Sequence, residues 1–463
     1  MTAKEIKEKL ASKNESAYDK MTDAEIKTAY GYCEGYKEFL NIAKTEREAV
    51  KYAIALAKEK GFKEFSVGEK YNPGDKFYIN NRGKAAAFLV IGKKAATEGV
   101  NIVAAHVDNP RLDLKGNPLY EADEIGYFKT HYYGGIRKYH WPVTPLALHG
   151  VICLKNGESK EIVIGEKEDE PCFAITDLLP HLAQEQNKRT LPQGIKGEEL
   201  NIVIGSRPFK DDEASEKVKL NLLNLLFEKY GIIEDDFRSA ELVAVPITKA
   251  RDIGFDRSLV GAFGHDDRVC AYPAFTALLE TEAPDKTCIC VFADKEEIGS
   301  EGNTGLQSAF VKYIVDDLCR PYGVSTTVAL RNSCCLSADV NGAYDPTFAD
   351  AFEKNNACFI NRGVCVTKYT GGGGKYDTSD ASAEYVSKVR TILDKGNVAW
   401  QIGELGKVDI GGGGTVAKYL ARLGMDVIDI GVPVLAMHSP FEIVSKLDIY
   451  ATYRACAEFF INA

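Results

Sequence analysis

Short apolar runs recur along this chain, and several end abruptly on His, Asp or Glu. Residues 85–91, 100–105, 287–293, 334–339, 398–401 and 426–430 read as strands. Helix patterns over 269–279 and 382–393 alternate with the later runs. That rhythm implies a sheet buried on both faces, because each strand–helix unit must cover its neighbour. The expected fold class is α/β, a mixed sheet covered by helices on both faces.

The flanking segments refine this picture. Residues 1–60 read as helices. Thr22, Asp23 and Glu25 open one of them, in which Ile26, Tyr30, Tyr36, Leu40 and Ile42 recur at helical spacing. Another spans 45–60 and stops at Gly61. Between 113 and 248 the texture changes to short strand patterns (151–154, 161–164, 200–204) broken by polar stretches such as 166–170 and 184–188. The expectation is a discontinuous α/β domain of residues 1–112 and 249–463, with a β-rich domain of residues 113–248 inserted into it.

Composition narrows the function classes. With 463 residues and 45% hydrophobic content, the chain buries a large core. A net charge of −10 repels phosphate backbones, so nucleic acid is not an expected partner. The twelve cysteines include no CxxC pair, and several lie in apolar runs, as Cys288, Cys290, Cys334 and Cys335 do. They read as buried free thiols of a reducing compartment. The charged N-terminus lacks a leader's apolar core, and no run reaches the roughly 20 apolar residues that span a bilayer. The expected location is the cytoplasm, without membrane contact.

Five segments carry an apolar or strand-like approach to a polar tip: Ala105-His106-Val107-Asp108, Gly264-His265-Asp266-Asp267-Arg268, Ala293-Asp294-Lys295-Glu296-Glu297, Ala338-Asp339 and Met437-His438-Ser439. In open α/β sheets ligands gather beyond the carboxyl ends of strands. Histidines and carboxylates gathered there offer nitrogen and oxygen donors to a divalent metal. In His106-x-Asp108 the carboxylate can fix the tautomer of a ligating imidazole. Adjacent Glu296 and Glu297 repel unless a cation binds one of them, and the other is then placed to act as a base. Taken singly, each motif also reads as a surface pair, an acidic turn or a satisfied core histidine.

Taken together, in this order and over nearly the whole chain, they resemble the aspartyl aminopeptidase family of two-zinc peptidases. His106-Val-Asp108, Glu296-Glu297-Ile-Gly-Ser and Leu435-Ala-Met-His438-Ser carry the resemblance most specifically, supported by Tyr133-Gly134-Gly135-Ile136. The resemblance implies an aminopeptidase acting on peptides. His106 and Asp339 would bind one metal, Glu297 and His438 the other, and Asp266 would bridge them. Asp108 would orient His106, and Glu296 would be the general base. Two such ions activate a shared water and polarise the scissile carbonyl. Zinc is implied, with manganese or cobalt compatible with the same donors.

The resemblance further implies that the insert serves dimerisation and substrate shaping, and that dimers assemble into a dodecamer. His181 would reach a neighbouring subunit's site to help bind substrate. Asp409 would contact the substrate amine. Two positions depart from the family's pattern for acidic N-terminal residues: Thr367 stands where a lysine is expected, and Gly342 where a histidine is expected.

Gly374-Lys375 lacks the Ser/Thr and the first glycine of a phosphate loop, and no G-x-S-x-G elbow marks a serine hydrolase. A metal-dependent deacylase or carboxypeptidase on the same scaffold, or a non-catalytic assembly protein, would present the same tips.

Overall fold

A computed structural model describes residues 1–12, 15–211 and 215–463. Its N-terminal helices begin where side chains satisfy free backbone donors. The Thr22 hydroxyl accepts from the Glu25 amide, and the Glu25 carboxylate accepts from the Thr22 amide, starting helix Asp23–Ile42. The same device at Thr45 and Glu48 starts helix Glu46–Glu59, and the chain leaves it through Gly61 at positive φ.

These helices lie on a nine-stranded mixed sheet. At its centre Cys288–Ala293, Asn101–His106, Cys334–Ala338 and Asp426–Gly431 run parallel, in that order. Ala85–Val90 and Lys76–Asn81 extend one side antiparallel, and Val364–Thr367 begins the other. Successive residues of the central strands enter different cores. Val103 and Ala105 pack with Phe39, Phe275 and Phe459 on one face, while Ile102 and Ala104 pack with Ile314, Leu318 and Leu420 on the other. Both faces are therefore dry, as the unbroken apolar runs require. Helices His265–Leu279 and Lys446–Asn462 cover the first face, and Phe310–Cys319 and Ala417–Ala421 the second.

Residues 111–246 form a separate antiparallel sheet of seven strands with its own apolar core, onto which helix Lys217–Tyr230 packs. Its strand Ala240–Pro246 is absent from the sequence reading, as is the helix Lys446–Asn462. The strand is buried over most of its length, which leaves no alternation to read, and the helix mixes polar Lys446, Asp448 and Thr452 into its buried face, which blurs its apolar period. His149 of this sheet sits between Glu48 at 2.7 Å and Glu166 at 3.0 Å, and Lys44 joins Glu166 at 2.8 Å. This buried ionic cluster fastens the second sheet to the N-terminal helices.

A small third sheet joins Arg251–Ile253, Leu259–Ala262, Glu442–Ser445, Pro433–Leu435 and Asn341–Gly342. All twelve cysteines are free, and all but Cys153 and Cys172 are buried. Among the described residues, no helix is long and apolar enough to cross a membrane.

Candidate metal centre

The strand register brings the polar tips together. His106 pairs with Ala293, and Ala104 with both Val291 and Ser337. The segments that follow Ala293 and Ala338 therefore leave the sheet at the level of His106. Asp266 and Asp267 lie in the first turn of helix His265–Leu279, with non-helical backbone angles. His438 follows strand Pro433–Leu435, at φ +64°.

The resulting geometry is tight. His106 Nε2 lies 3.2 Å from Asp266 Oδ1, 3.7 Å from Asp339 Oδ1 and 4.0 Å from Glu296 Oε2. His438 Nε2 lies 3.1 Å from Asp266 Oδ2 and 3.5 Å from Glu297 Oε2. Asp266 thus presents one oxygen to each imidazole. Donor atoms of His106, Glu296 and Asp339, and those of His106, Asp266 and Glu297, each fall within 4.8 Å of one another, the reach of one metal ion. Asp266 Oδ1 and Glu297 Oε1 are buried without a hydrogen-bond partner. Orphaned carboxylate oxygens are rare in protein interiors, and a bound cation would satisfy these two.

Proton affinities show the same crowding of negative charge. Burial, then Asp339, pushes the Glu296 carboxyl up to about 8. Burial and the neighbouring Asp266 raise Glu297 well above the usual carboxylate range. For His438, burial alone favours the neutral ring, but Asp266 and Glu297 hold it charged up to about 11. Without metal, the imidazolium protons supply the positive charge that these acids need.

Beyond the ligating atoms, His106 Nδ1 lies 3.0 Å from the Asp108 carbonyl and 3.3 Å from its carboxylate. Both neighbours are acceptors, so Nδ1 carries the proton and Nε2 faces the centre. The Asp108 carboxylate also accepts the amides of Glu296 at 3.1 Å and Glu297 at 3.2 Å.

Residues 39–460 match the family model described as aminopeptidase I zinc metalloprotease (M18). A protein of Clostridium acetobutylicum named probable M18 family aminopeptidase 1 is 47% identical, covering 98% of this chain and 99% of its own. The crystal structure of an M18 aminopeptidase from Thermotoga maritima superposes with a TM-score of 0.93 at 43% identity, over 98% of this chain and all of that one. The chain belongs to the M18 family of zinc aminopeptidases. A more distant structure, the mApe1 dodecamer of S. cerevisiae, shares the fold with a TM-score of 0.74 at 23% identity, over 92% of this chain and 95% of that one.

Family membership makes this chain a zinc-dependent aminopeptidase and sets aside the deacylase, carboxypeptidase and non-catalytic readings. In this M18 protein a cavity of about 460 Å3 opens onto the centre. Asp266, Glu296, Glu297, Asp339 and His438 line it, and so does Lys418. Thr367 does not reach the cavity. It is buried and accepts from Asn341 Nδ2 at 3.0 Å, while Lys368 points outward to Asp380. Gly342 is held in the small sheet opposite Val434.

The structure does not bring Asp409 to the cavity. Its loop turns at φ +75°, leaving Asp409 exposed and outside the cavity lining, although Leu405 and Gly412 of the same loop take part in it. His181 lies in an exposed turn and is not part of the cavity lining either.

The sequence reading assigned no role to three contributors. Glu442, buried at the start of its strand, accepts the amides of Asp266 at 3.1 Å and His438 at 2.7 Å. Asp267 accepts the amide of His106 at 3.3 Å, and its carboxyl is pushed well up by burial and by Asp339. Gly135 offers its carbonyl to His438 Nδ1 at 2.8 Å. Asp267 carried a signal in its adjacency to Asp266 and Gly135 in the Tyr133-Gly134-Gly135-Ile136 motif, whereas Glu442 carried none.

Proposed function

We propose that the centre holds two zinc ions and removes the first residue from peptides with Glu296 as general base. The observation that carries this is the bridging position of Asp266, one oxygen 3.2 Å from His106 and the other 3.1 Å from His438. His106 and Asp339 would hold one ion, Glu297 and His438 the second, and Asp266 both. The partnerless oxygens of Asp266 and Glu297 fit that assignment. The nitrogen and oxygen donors suit zinc, and manganese or cobalt would bind the same set.

When bound, zinc supplies Lewis acidity, polarising the scissile carbonyl and making a water easier to deprotonate. Glu296, beside the cluster on the cavity wall, would take that proton and pass it to the leaving amine. Asp108 would keep His106 in the ligating tautomer. The carboxylates around the cavity would pair with the peptide's α-ammonium, restricting cleavage to the first residue. Lys418, the one ammonium among the lining residues, would favour an acidic side chain there. Its own partner, Asp377, is 3.5 Å away and largely exposed, so the pair is weak.

The seven-stranded insert, residues 113–248, would serve dimerisation and substrate shaping, and dimers would build a dodecamer. The exposed Leu178, Leu179 and Leu182 around His181 support its docking on a neighbouring subunit, as does the dodecameric S. cerevisiae relative. The buried free thiols support a cytoplasmic location.

The test uses protein stripped by a chelator and reloaded with zinc, manganese or cobalt. It is assayed on a panel of aminoacyl fluorogenic substrates and on an N-acetylated peptide. Two equivalents of metal per chain and release only from free N-termini are expected. One equivalent, or cleavage of the blocked peptide, rejects the reading.

A further inference from the structure

From the contacts of Tyr133 we infer that the second sheet positions the metal centre in cis, with Tyr133 acting through Asp108. Strand Ile125–Tyr133 of that sheet ends against the centre. The Tyr133 hydroxyl donates to Asp108 Oδ2 at 2.8 Å. The same carboxylate lies 3.3 Å from His106 Nδ1 and accepts the amides of Glu296 and Glu297. One buried acid thus fixes the ring of one histidine and the backbone of both glutamates, and among the described residues Tyr133 is its only side-chain hydroxyl donor.

The ring of Tyr133 is itself held. The Arg111 guanidinium stacks on it with its carbon 4.3 Å from the ring centre, and Arg111 is fixed by Glu46 at 2.7 Å and Asp113 at 2.9 Å. Burial, then Asp108, raises the phenol far above its usual range, so it stays a donor at any working pH.

Two residues on, Gly135 accepts His438 Nδ1–H at 2.8 Å. A Cβ at Gly135 would lie 3.2 Å from that nitrogen, and one at Gly134, at φ +73°, would lie 3.2 Å from Glu297. Glycines let the strand end approach this closely. Residues 133–135 therefore set the non-ligating side of both histidines, one through Asp108 and one directly. The placement of the second sheet becomes part of the ligand geometry. Neither sheet alone would hold the imidazoles in place.

Tyr133 is a positioning residue, and this role rests on the two-ion reading. The decisive variant is Tyr133→Phe, which keeps the ring and its Arg111 contact and removes only the hydroxyl. Zinc affinity is measured on the metal-free full chain by competition with a chromophoric chelator. Loss of a hydrogen bond behind a ligating histidine is expected to weaken zinc about 10-fold or more. kcat should fall at saturating zinc with KM little changed, and the melting temperature of the metal-free protein should stay near wild type. In an Asp108→Asn background the same substitution should add nothing, because its effect passes through that carboxylate. Unchanged zinc affinity in Tyr133→Phe, or a full additional loss on top of Asp108→Asn, overturns the inference while leaving the two-ion reading intact. A wild-type chain that takes up no zinc refutes that reading and the positioning role with it.

Discussion

Replacing Glu296 by Gln should abolish activity and, in the metal-free protein, raise stability at alkaline pH. The Glu296 carboxyl moves from 4.5 to about 8 in the folded chain because burial and Asp339 oppose its ionisation. A folded-state value above the unfolded one means that the native chain holds a proton the unfolded chain has released. Stability is therefore full below 4.5 and falls as pH rises towards 8. At 1.36 kcal/mol per unit, the whole shift corresponds to about 5 kcal/mol at most. A glutamine has the same shape and no charge to release, so it escapes this penalty. The assay is thermal unfolding of wild type and variant in chelator at pH 5, 6, 7 and 8. The two melting temperatures should be close at pH 5 and diverge by pH 8, with the variant higher. Zinc should narrow the gap at pH 8, because nearby positive charge favours the ionised Glu296 carboxylate of the wild type. Turnover of the zinc-loaded variant should drop by about 100-fold or more, as for loss of a general base. Parallel pH profiles in chelator, or retained turnover, would refute the placement of Glu296 as a desolvated base within this cluster.

Two further outcomes follow from the cavity and the insert. Lys418→Met should lower kcat/KM for aspartyl and glutamyl substrates by about 10-fold and leave alanyl substrates within twofold, read from the same fluorogenic panel. Equal losses on both classes would remove Lys418 from side-chain recognition. His181→Ala should lose activity yet regain part of it when co-expressed with Glu296→Gln, because a mixed interface restores one intact site. Hybrid assemblies without activity would place His181 outside the neighbour's site.

The sequence by itself determined the α/β sheet and the chemistry of its upper edge. Those properties are local. Thr22 and Thr45 cap their own helices. The central strands are buried at every position and mostly apolar; His106 ends one, Asp339 follows another, and the Glu296–Glu297 pair lies just beyond a third. A residue type at the end of a buried strand can be read without knowing its neighbours.

Only the tertiary structure decided which atoms meet behind the ligands. Tyr133 reaches Asp108, Gly135 reaches His438 and Glu442 holds Asp266 through contacts between segments distant along the chain. The Tyr133-Gly134-Gly135-Ile136 motif marks its residues without showing what they touch, and Glu442 lies in no motif at all. The outward turn of Asp409 and the burial of Thr367 were equally invisible, since each depends on how a loop or an inner strand packs. Hydrogen bonds act over a few ångströms, whereas the chain separates these partners by tens to hundreds of residues. Strand register and sheet-on-sheet placement, set by the cores as a whole, closed that gap.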